Sequence, residues 1–410
     1  MNTARIVGSS YISARKIGRY VIAGVGALII LALKPFICVR LGSLLSCRIG
    51  AYVMEPELAL CEQEAGINQP SKFTYDIWFE EHPISNQALS VIWKRTLLVL
   101  PTALVEPIYW LITRTGILQE HIIRTTSEDR DVHGLLQSLQ SHLIFSGAEV
   151  AKGAAAMREF GIPGDAKWIC IHSRDSKYLE DQFPENEFSY HSYRNSDIDT
   201  YVVMAEAMIS LGYYVIRMGS RVSKPMSLIS NFFFDYGWSG KQTDFMDLYL
   251  ISRCAFYVGG SAGLDSVSIA FRRPTIMTNH IPVANFHVGW RHFVIPKKLC
   301  LFGKTEPLTI EAIARLGLDD AYQAANYCDA SVVIVDNTPE EIRDVALEMH
   351  ENLGGQIGYS EVDEILQELF WRQFPSRDSR YATVRLCRVG RQFLLNNPWL
   401  LNQAGQLINS

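Results

Sequence analysis

Three short stretches of this chain bring together residue types that could do chemistry. Gly259-Gly260-Ser261-Ala262-Gly263 matches the G-x-S-x-G pattern that presents a nucleophilic serine in many hydrolases, and it equally suits a glycine-rich turn whose amides cradle an anion. His172-Ser173-Arg174-Asp175 and His191-Ser192-Tyr193-Arg194-Asn195-Ser196 each place an arginine among polar neighbours. Two arginines and the amides of such a turn, converging on one crevice, would bind a diphosphate bidentately and neutralise it as a leaving group. That is transferase chemistry. Taken singly, Arg174 and Arg194 could instead form surface ion pairs with Asp175 and Asp197. A hydrolase built on Ser261 would need an aspartate and then a histidine later in the chain, and Asp336 and His350 satisfy that order. His350, however, falls within an amphipathic helical pattern, and no HGGG-type oxyanion loop lies upstream.

The elements that must position these residues are most legible after residue 165. The pattern predicts strands at 167–172, 213–218, 232–234, 256–258 and 275–277, with 331–335 closing the series. Between them lie a helix opened by a capping box of Ser196 and Asp199, and another over 262–271. Thr338-Pro339-Glu340-Glu341 starts a further helix with an N-cap, a proline at the first position and a reciprocal glutamate. This alternation implies a doubly wound parallel sheet, whose ligands bind at the carboxyl ends of the strands. The turn at 259–264 lies at such an end, as does the first arginine cluster, and the second sits just before the capped helix.

The first half reads less clearly. It offers a strand at 36–41, an acidic helix around 56–64, an alternating stretch at 72–79, and apolar segments near 91–100 and 108–112. "GIPGDAKW" (161–168) has the punctuation of a linker, which places a domain boundary at 165. At the N-terminus, Arg15, Lys16 and Arg19 precede an uncharged stretch from Tyr20 to Leu33, shorter than the roughly 20 residues that span a bilayer. It fits a helix on the inner face of the membrane, or a helix packed on the first domain. The net charge of -5 in 410 residues gives no footprint for nucleic acid. Eight cysteines without a C-x-x-C pair suit a reducing, cytoplasmic compartment.

The stretches "CIHSRDSKYL", "HSYRNSDIDTYVVMAEAMISLGYYVIRMG", "DFMDLYLISRCAFYVGGSAGLDSVSIAFRRPTIM" and "NTPEEI" resemble a family of bacterial glycosyltransferases, and more distantly heptosyltransferases and the H-x-R fucosyltransferases. The resemblance implies the GT-B arrangement: an α/β protein of two Rossmann-like domains, their parallel sheets facing across a cleft. It divides the chain into an N-terminal helix (1–35), an acceptor-side domain (36–165), a nucleotide-sugar-binding domain (166–355) and C-terminal helices (356–410) bracing the two. The implied reaction moves a sugar from a nucleotide-sugar donor to a hydroxyl of a glycan, lipid-linked glycan or protein, by inversion and without a metal or other cofactor. Arg174 takes the place of the H-x-R arginine on the diphosphate. His172, Ser173, Asp175, Tyr193, Arg194, Asn195, Arg217, Gly219, Gly260, Ser261, Ala262, Gly263 and Leu264 complete the donor side. Asp244 stands where related transferases put an acid near the sugar or base, although helix capping explains it equally well.

"RLGSLLSCRIGAYVMEPELALCE" (40–62) resembles the family's opening strand and loop, but Ala51 stands where a histidine is expected. Glu57, or Glu55, would then serve as the base that takes the acceptor's proton; either could equally be an N-terminal helix charge. With Ala51, a sugar-nucleotide-binding protein without turnover also remains open, as does an epimerase on the same fold. Asp197-Ile198-Asp199 is a D-x-D, a pattern that holds a divalent cation in some transferases, but a capping role for Asp199 argues against a metal there. The histidines at 280, 287 and 292 have no zinc-site spacing. The basic run from Arg372 to Arg391 reads as a solvated face.

Overall fold

The computed structural model describes residues 3–70, 72–128, 130–177, 189–285, 289, 291–374 and 387–401. The chain divides into two compact units, Met1–Asp129 with His142–Ile144, and Arg130–Ser141 with Phe145–Ser410. The boundary therefore falls earlier than the "GIPGDAKW" punctuation suggested. The helix Gly147–Glu159 belongs to the second unit, because Gly153 lets it lie against the Tyr249 ring of the helix Asp244–Arg253; a Cβ at Gly153 would stand 2.2 Å from that ring.

In the second unit, short apolar runs form β4 (Trp168–Ile171), β5 (Tyr214–Arg217), β6 (Phe233–Phe234), β7 (Tyr257–Gly259), β8 (Thr275–His280), β9 (His292–Pro296) and β12 (Arg388–Val389). All pair in parallel, in the order β12-β9-β8-β7-β4-β5-β6. Counted within the unit this is the doubly wound order 3-2-1-4-5-6 with one strand added. Both faces are covered, so β7, β8 and β9 are buried at every residue, even where the chain is polar, as at Thr278, Asn279 and His280 of β8. Helix starts follow their caps: Thr338 with Glu341 and Ser360 with Asp363 form reciprocal boxes.

Two expectations are corrected here. The run at 332–335 (β11) leaves the sheet and pairs antiparallel with β10 (Lys298–Leu301), since its alternating burial suits a two-stranded ribbon. Asp197, not Ser196, caps the turn Ile198–Tyr201 that precedes the helix Val202–Ser210, and Asp199 is drawn to Lys224 and the Ser227 amide. Every described element of the C-terminal segment belongs to the second unit. There β12 extends the sheet, and Phe370, Phe374, Phe393 and Leu394 join its core. The Gln367 amide accepts from the Val389 N–H at 3.1 Å and donates to its carbonyl at 2.6 Å. Arg377, Arg380 and Arg385 of the basic run lie outside the described residues.

The first unit carries a smaller parallel sheet: β1 (Cys38–Leu44), β2 (Thr74–Glu80) and β3 (Leu98–Val99), with Ile122 bridging to Leu41 on the free side of β1. That is the first half of the same winding. The helix Ile49–Glu64 starts seven residues before the acidic stretch that announced it. A Cβ at Gly260 would lie 1.9 Å from the Thr278 carbonyl oxygen of β8. Gly260→Ala must therefore displace one strand end, and we expect a loss of about 3 kcal/mol, read as a lowered melting temperature; unchanged melting would refute so close an approach.

Candidate functional site

Between β4 and β7 the strand order reverses. The chain leaves β4 toward one edge of the sheet and leaves β7 toward the other, so a crevice opens beyond their carboxyl ends. The His172 N–H donates to the Val258 carbonyl at 2.9 Å, which sets the His172-Ser173-Arg174-Asp175 segment beside the turn that follows β7. Two of the stretches singled out in the sequence thus meet at the place where this topology binds ligands.

The third stretch forms the turn Ser189–Arg194 and is fastened to the first. Arg174 Nη1 donates to the His191 carbonyl at 3.0 Å and to Asn195 Oδ1 at 2.5 Å, and the Ser173 hydroxyl donates to the Ser196 carbonyl at 2.5 Å. Arg174 does not pair with Asp175, whose carboxylate takes the Ser223 amide at 2.9 Å and the Lys177 amide at 3.1 Å. Asp197 pairs with Lys224 at 2.6 Å. Burial, with the charge of Arg194 added, pulls Arg174 down to about 10, so it remains a cation at neutral pH. Burial and then Arg217 pull His172 down to about 4, and its ring is neutral. Tyr193 stacks on Tyr327 at 5.3 Å.

Sequence reasoning missed Lys297. It follows β9 and is 4% exposed, and its ammonium reaches the Asn195 carbonyl at 2.6 Å and Asp336 at 2.7 Å. Burial pulls it below its ordinary value against the pull of Asp336, and Arg174 adds to the lowering. Its one sequence signal was a lysine pair closing an apolar strand. Arg174, Arg194 and Lys297 are three cations around one crevice. Among the described residues, the buried Arg194 Nε, His172 Nδ1 and Tyr193 hydroxyl meet no hydrogen-bond partner. Buried polar atoms left so are uncommon and mark a place where a ligand or water completes the network.

The turn after β7 answers the question its sequence raised. Ser261 adopts φ +48°, as a strained strand-to-helix turn requires, but its oxygen is turned inward. Oγ accepts the Ile281 N–H at 3.1 Å and donates to the Ile281 carbonyl at 2.9 Å. His280 Nδ1 stands 3.5 Å away, and the other ring nitrogen faces the Asn285 carbonyl at 3.0 Å, where a triad would need a carboxylate. His350 bonds Tyr213 at 3.0 Å and takes no part. The geometry disfavours the nucleophile. Gly263 and Leu264 open the helix Gly263–Ala270, whose N-terminus favours an anion, but the Ala262 amide is already turned onto Asp265 at 3.0 Å. Asp265, 2% exposed, is another residue the sequence reading missed; burial pushes its carboxyl up to about 6, and Arg194 is near enough to lower it.

Other expected residues have structural partners. Arg217 is buried and ties the Lys224 carbonyl at 2.7 Å to Asp235 at 3.2 Å, and Gly219 at φ +142° makes the bend that follows. Asp244 opens its helix behind the Thr243 cap, while Asp247, pushed up to about 7 by burial, accepts from the Tyr236 hydroxyl at 2.8 Å. The D-x-D is occupied by Lys224, 2.6 Å from both acids. His280 and His292 are buried at β8 and β9, and His287 lies outside the described residues.

In the first unit, Glu57 lies on the helix Ile49–Glu64. It has no exposed surface, and its carboxylate accepts the His142 amide at 3.2 Å and stands 3.3 Å from the His142 ring. Glu57, Cys61 and His142 offer donor atoms within 4.8 Å of one another, a set that could hold a metal ion; the hydrogen bonds among them already account for the arrangement. Glu55, two residues nearer the start of the helix, is half-buried.

No protein-family model and no curated protein matches this chain. Among solved structures it is similar to the ADP-heptose lipopolysaccharide heptosyltransferase II of E. coli, at 14% identity over 77% of this chain and 99% of that one, with a TM-score of 0.37. It is also similar to a glycosyltransferase of family 9 from Veillonella parvula DSM 2008 (10% identity, 58% and 80% covered, TM-score 0.34). A third is the E. coli heptosyltransferase WaaC with ADP-2-deoxy-2-fluoro heptose (11% identity, 69% and 100% covered, TM-score 0.32). Likeness this faint leaves the reading to the chain's own residues.

The buried Asp265 carries a pH signature. Its folded value lies above the ordinary carboxylate value near 4, so between about pH 4 and pH 6 the folded state holds the proton more tightly than the unfolded one. Stability from this group is lost as pH rises through that window. Asp265→Asn keeps an oxygen for the Ala262 amide and removes the charge. We expect it to gain on the order of 3 kcal/mol over wild type between pH 4 and pH 7 in urea melts; a constant difference would mean that the carboxyl titrates normally.

Proposed function

We propose that this protein is a glycosyltransferase that uses a nucleotide-sugar donor, and that the donor's diphosphate lies in the crevice between β4 and β7. One observation carries the reading: three cations and several buried, unpartnered polar atoms gather where a doubly wound sheet binds its ligands. The role follows from charge. As the sugar departs, negative charge grows on the diphosphate, and fixed cations in a partly desolvated crevice stabilise it more than they stabilise the bound donor. Arg174, oriented by Asn195 and the His191 carbonyl, and Lys297 supply that charge without a divalent ion. The N-terminus of the helix Gly263–Ala270 adds partial positive charge.

In this reading an acceptor hydroxyl attacks the anomeric carbon directly and inverts it, the diphosphate leaves, and a general base takes the hydroxyl's proton. The acceptor is a glycan, a lipid-linked glycan or a protein hydroxyl, and the setting is the cytoplasm, which suits eight cysteines joined by no disulfide. The decisive experiment is thermal stabilisation of the full chain by a panel of nucleoside diphosphates and nucleotide sugars. One nucleotide class should raise the melting temperature. Arg174→Ala and Lys297→Met should each weaken that nucleotide at least about tenfold, corresponding to loss of one charge-assisted contact. No stabilisation by any nucleotide, with no sugar transfer, would overturn the proposal.

A further inference from the structure

The helix Thr3–Leu33 is apolar on the wrong side for a protein surface. Only 11% of the window Lys16–Leu33 is buried, although its mean hydropathy is 1.8. Successive residues turn by about 100°, which puts Ala23, Gly26 and Ile30 on one stripe, and this stripe packs on the first unit. Ala23 and Ile30 are buried, and a Cβ at Gly26 would stand 2.2 Å from Ile108. Arg19 turns to the same side and pairs with Glu106 at 2.6 Å. The opposite half-cylinder carries Ile17, Val21, Val25, Leu28, Ile29 and Leu31, each more than half exposed, and no charged residue. The usual amphipathic arrangement is inverted: the charge is held against the protein and the apolar face is bare.

The rim of this face carries a particular chemistry. At one end Tyr20 meets Trp110 edge-on at 6.0 Å, with Arg19 at 5.3 Å and Arg114 at 5.9 Å from the same indole. At the other end stand Lys34, paired with Glu120, and Lys72, which donates to the Lys34 carbonyl at 2.8 Å. Aromatic rings with a polar edge, mixed with lysine and arginine, are the side chains that settle at the boundary between lipid headgroups and acyl chains. The bare face is about 23 Å long. The other side of the helix packs onto the sheet and the helix Thr102–Thr115.

We infer that this face is a docking surface for an anionic phospholipid bilayer, with the half-cylinder from Ile17 to Leu31 lying along one leaflet among the acyl chains and the basic rim at the headgroups. The inference stands apart from the donor crevice, and its test needs no sugar chemistry. Full-length protein is mixed with sealed vesicles of phosphatidylcholine and phosphatidylglycerol and floated through a density gradient at low and high salt. Wild type should rise with the vesicles at both, because apolar burial survives screening. Val25→Glu combined with Leu28→Glu should bind at least about a hundredfold more weakly, with unchanged melting, since both side chains are exposed. If that variant melts early, Ile17→Glu, farther along the same face, takes its place. A wild type that stays at the bottom of the gradient, or a variant that floats equally well, overturns the inference. So does a lipid-free wild-type dimer that the substitution makes monomeric without any flotation, because the face would then belong to a second copy of the chain.

Discussion

The closeness of two backbones at the floor of the crevice governs the rest of the second unit. Gly260 lies so near the Thr278 carbonyl that no side chain fits between them, and one residue later Ser261 bonds both main-chain groups of Ile281. Thr278 is held in turn by the Tyr201 hydroxyl at 2.6 Å, which reaches across from the turn leading into the helix Val202–Ser210. The turn after β7 is therefore clamped to the end of β8. For the transfer proposed above, such rigidity matters because reorganisation is completed during folding and not at the moment of reaction.

Against that floor the cations are held by one small residue. The Asn195 side-chain oxygen takes Arg174, and its main-chain oxygen takes Lys297. Neutral acceptors orient the two charges without cancelling them, and Asp336 is the single carboxylate bonded to Lys297 among the described residues. Desolvating like charges side by side is unfavourable, as the lowering of both Arg174 and Lys297 shows. An anion relieves that repulsion. Structural ion pairs would have the opposite design, with each guanidinium already matched to an acid, as Arg40 is to Asp76 at 2.6 Å through two nitrogens.

The legible parts of the fold were those written in local code. Buried parallel strands give continuous apolar runs, and caps such as Thr338 with Glu341 fix helix starts by side-chain bonds three residues apart. β9 and β12 were missed for different reasons: β9 begins and ends in residues that look polar or breaking, His292 and Pro296, and β12 is two residues long. Ser196 failed as a cap because Lys224, distant in sequence, claims Asp199. The arginines of the crevice could be found because they neighbour a glycine-rich turn in a recognisable winding. Lys297 could not, since its approach to Asn195 depends on how strands far apart in sequence lie side by side. The burial of Glu57 was illegible for the same reason: nothing local announces that the His142 amide bonds it.

The Gln367 amide beside Val389 has a consequence for the company this protein keeps. A sheet that ends in an open strand offers its unpaired peptide groups to any extended chain that passes. Here a side-chain amide imitates the next peptide, giving one bond and taking one, so the outermost rung is filled by the protein itself. The seal comes from a helix near the end of the chain, and growth of the sheet by addition of a foreign strand is blocked at this rung only once that helix has been made and packed.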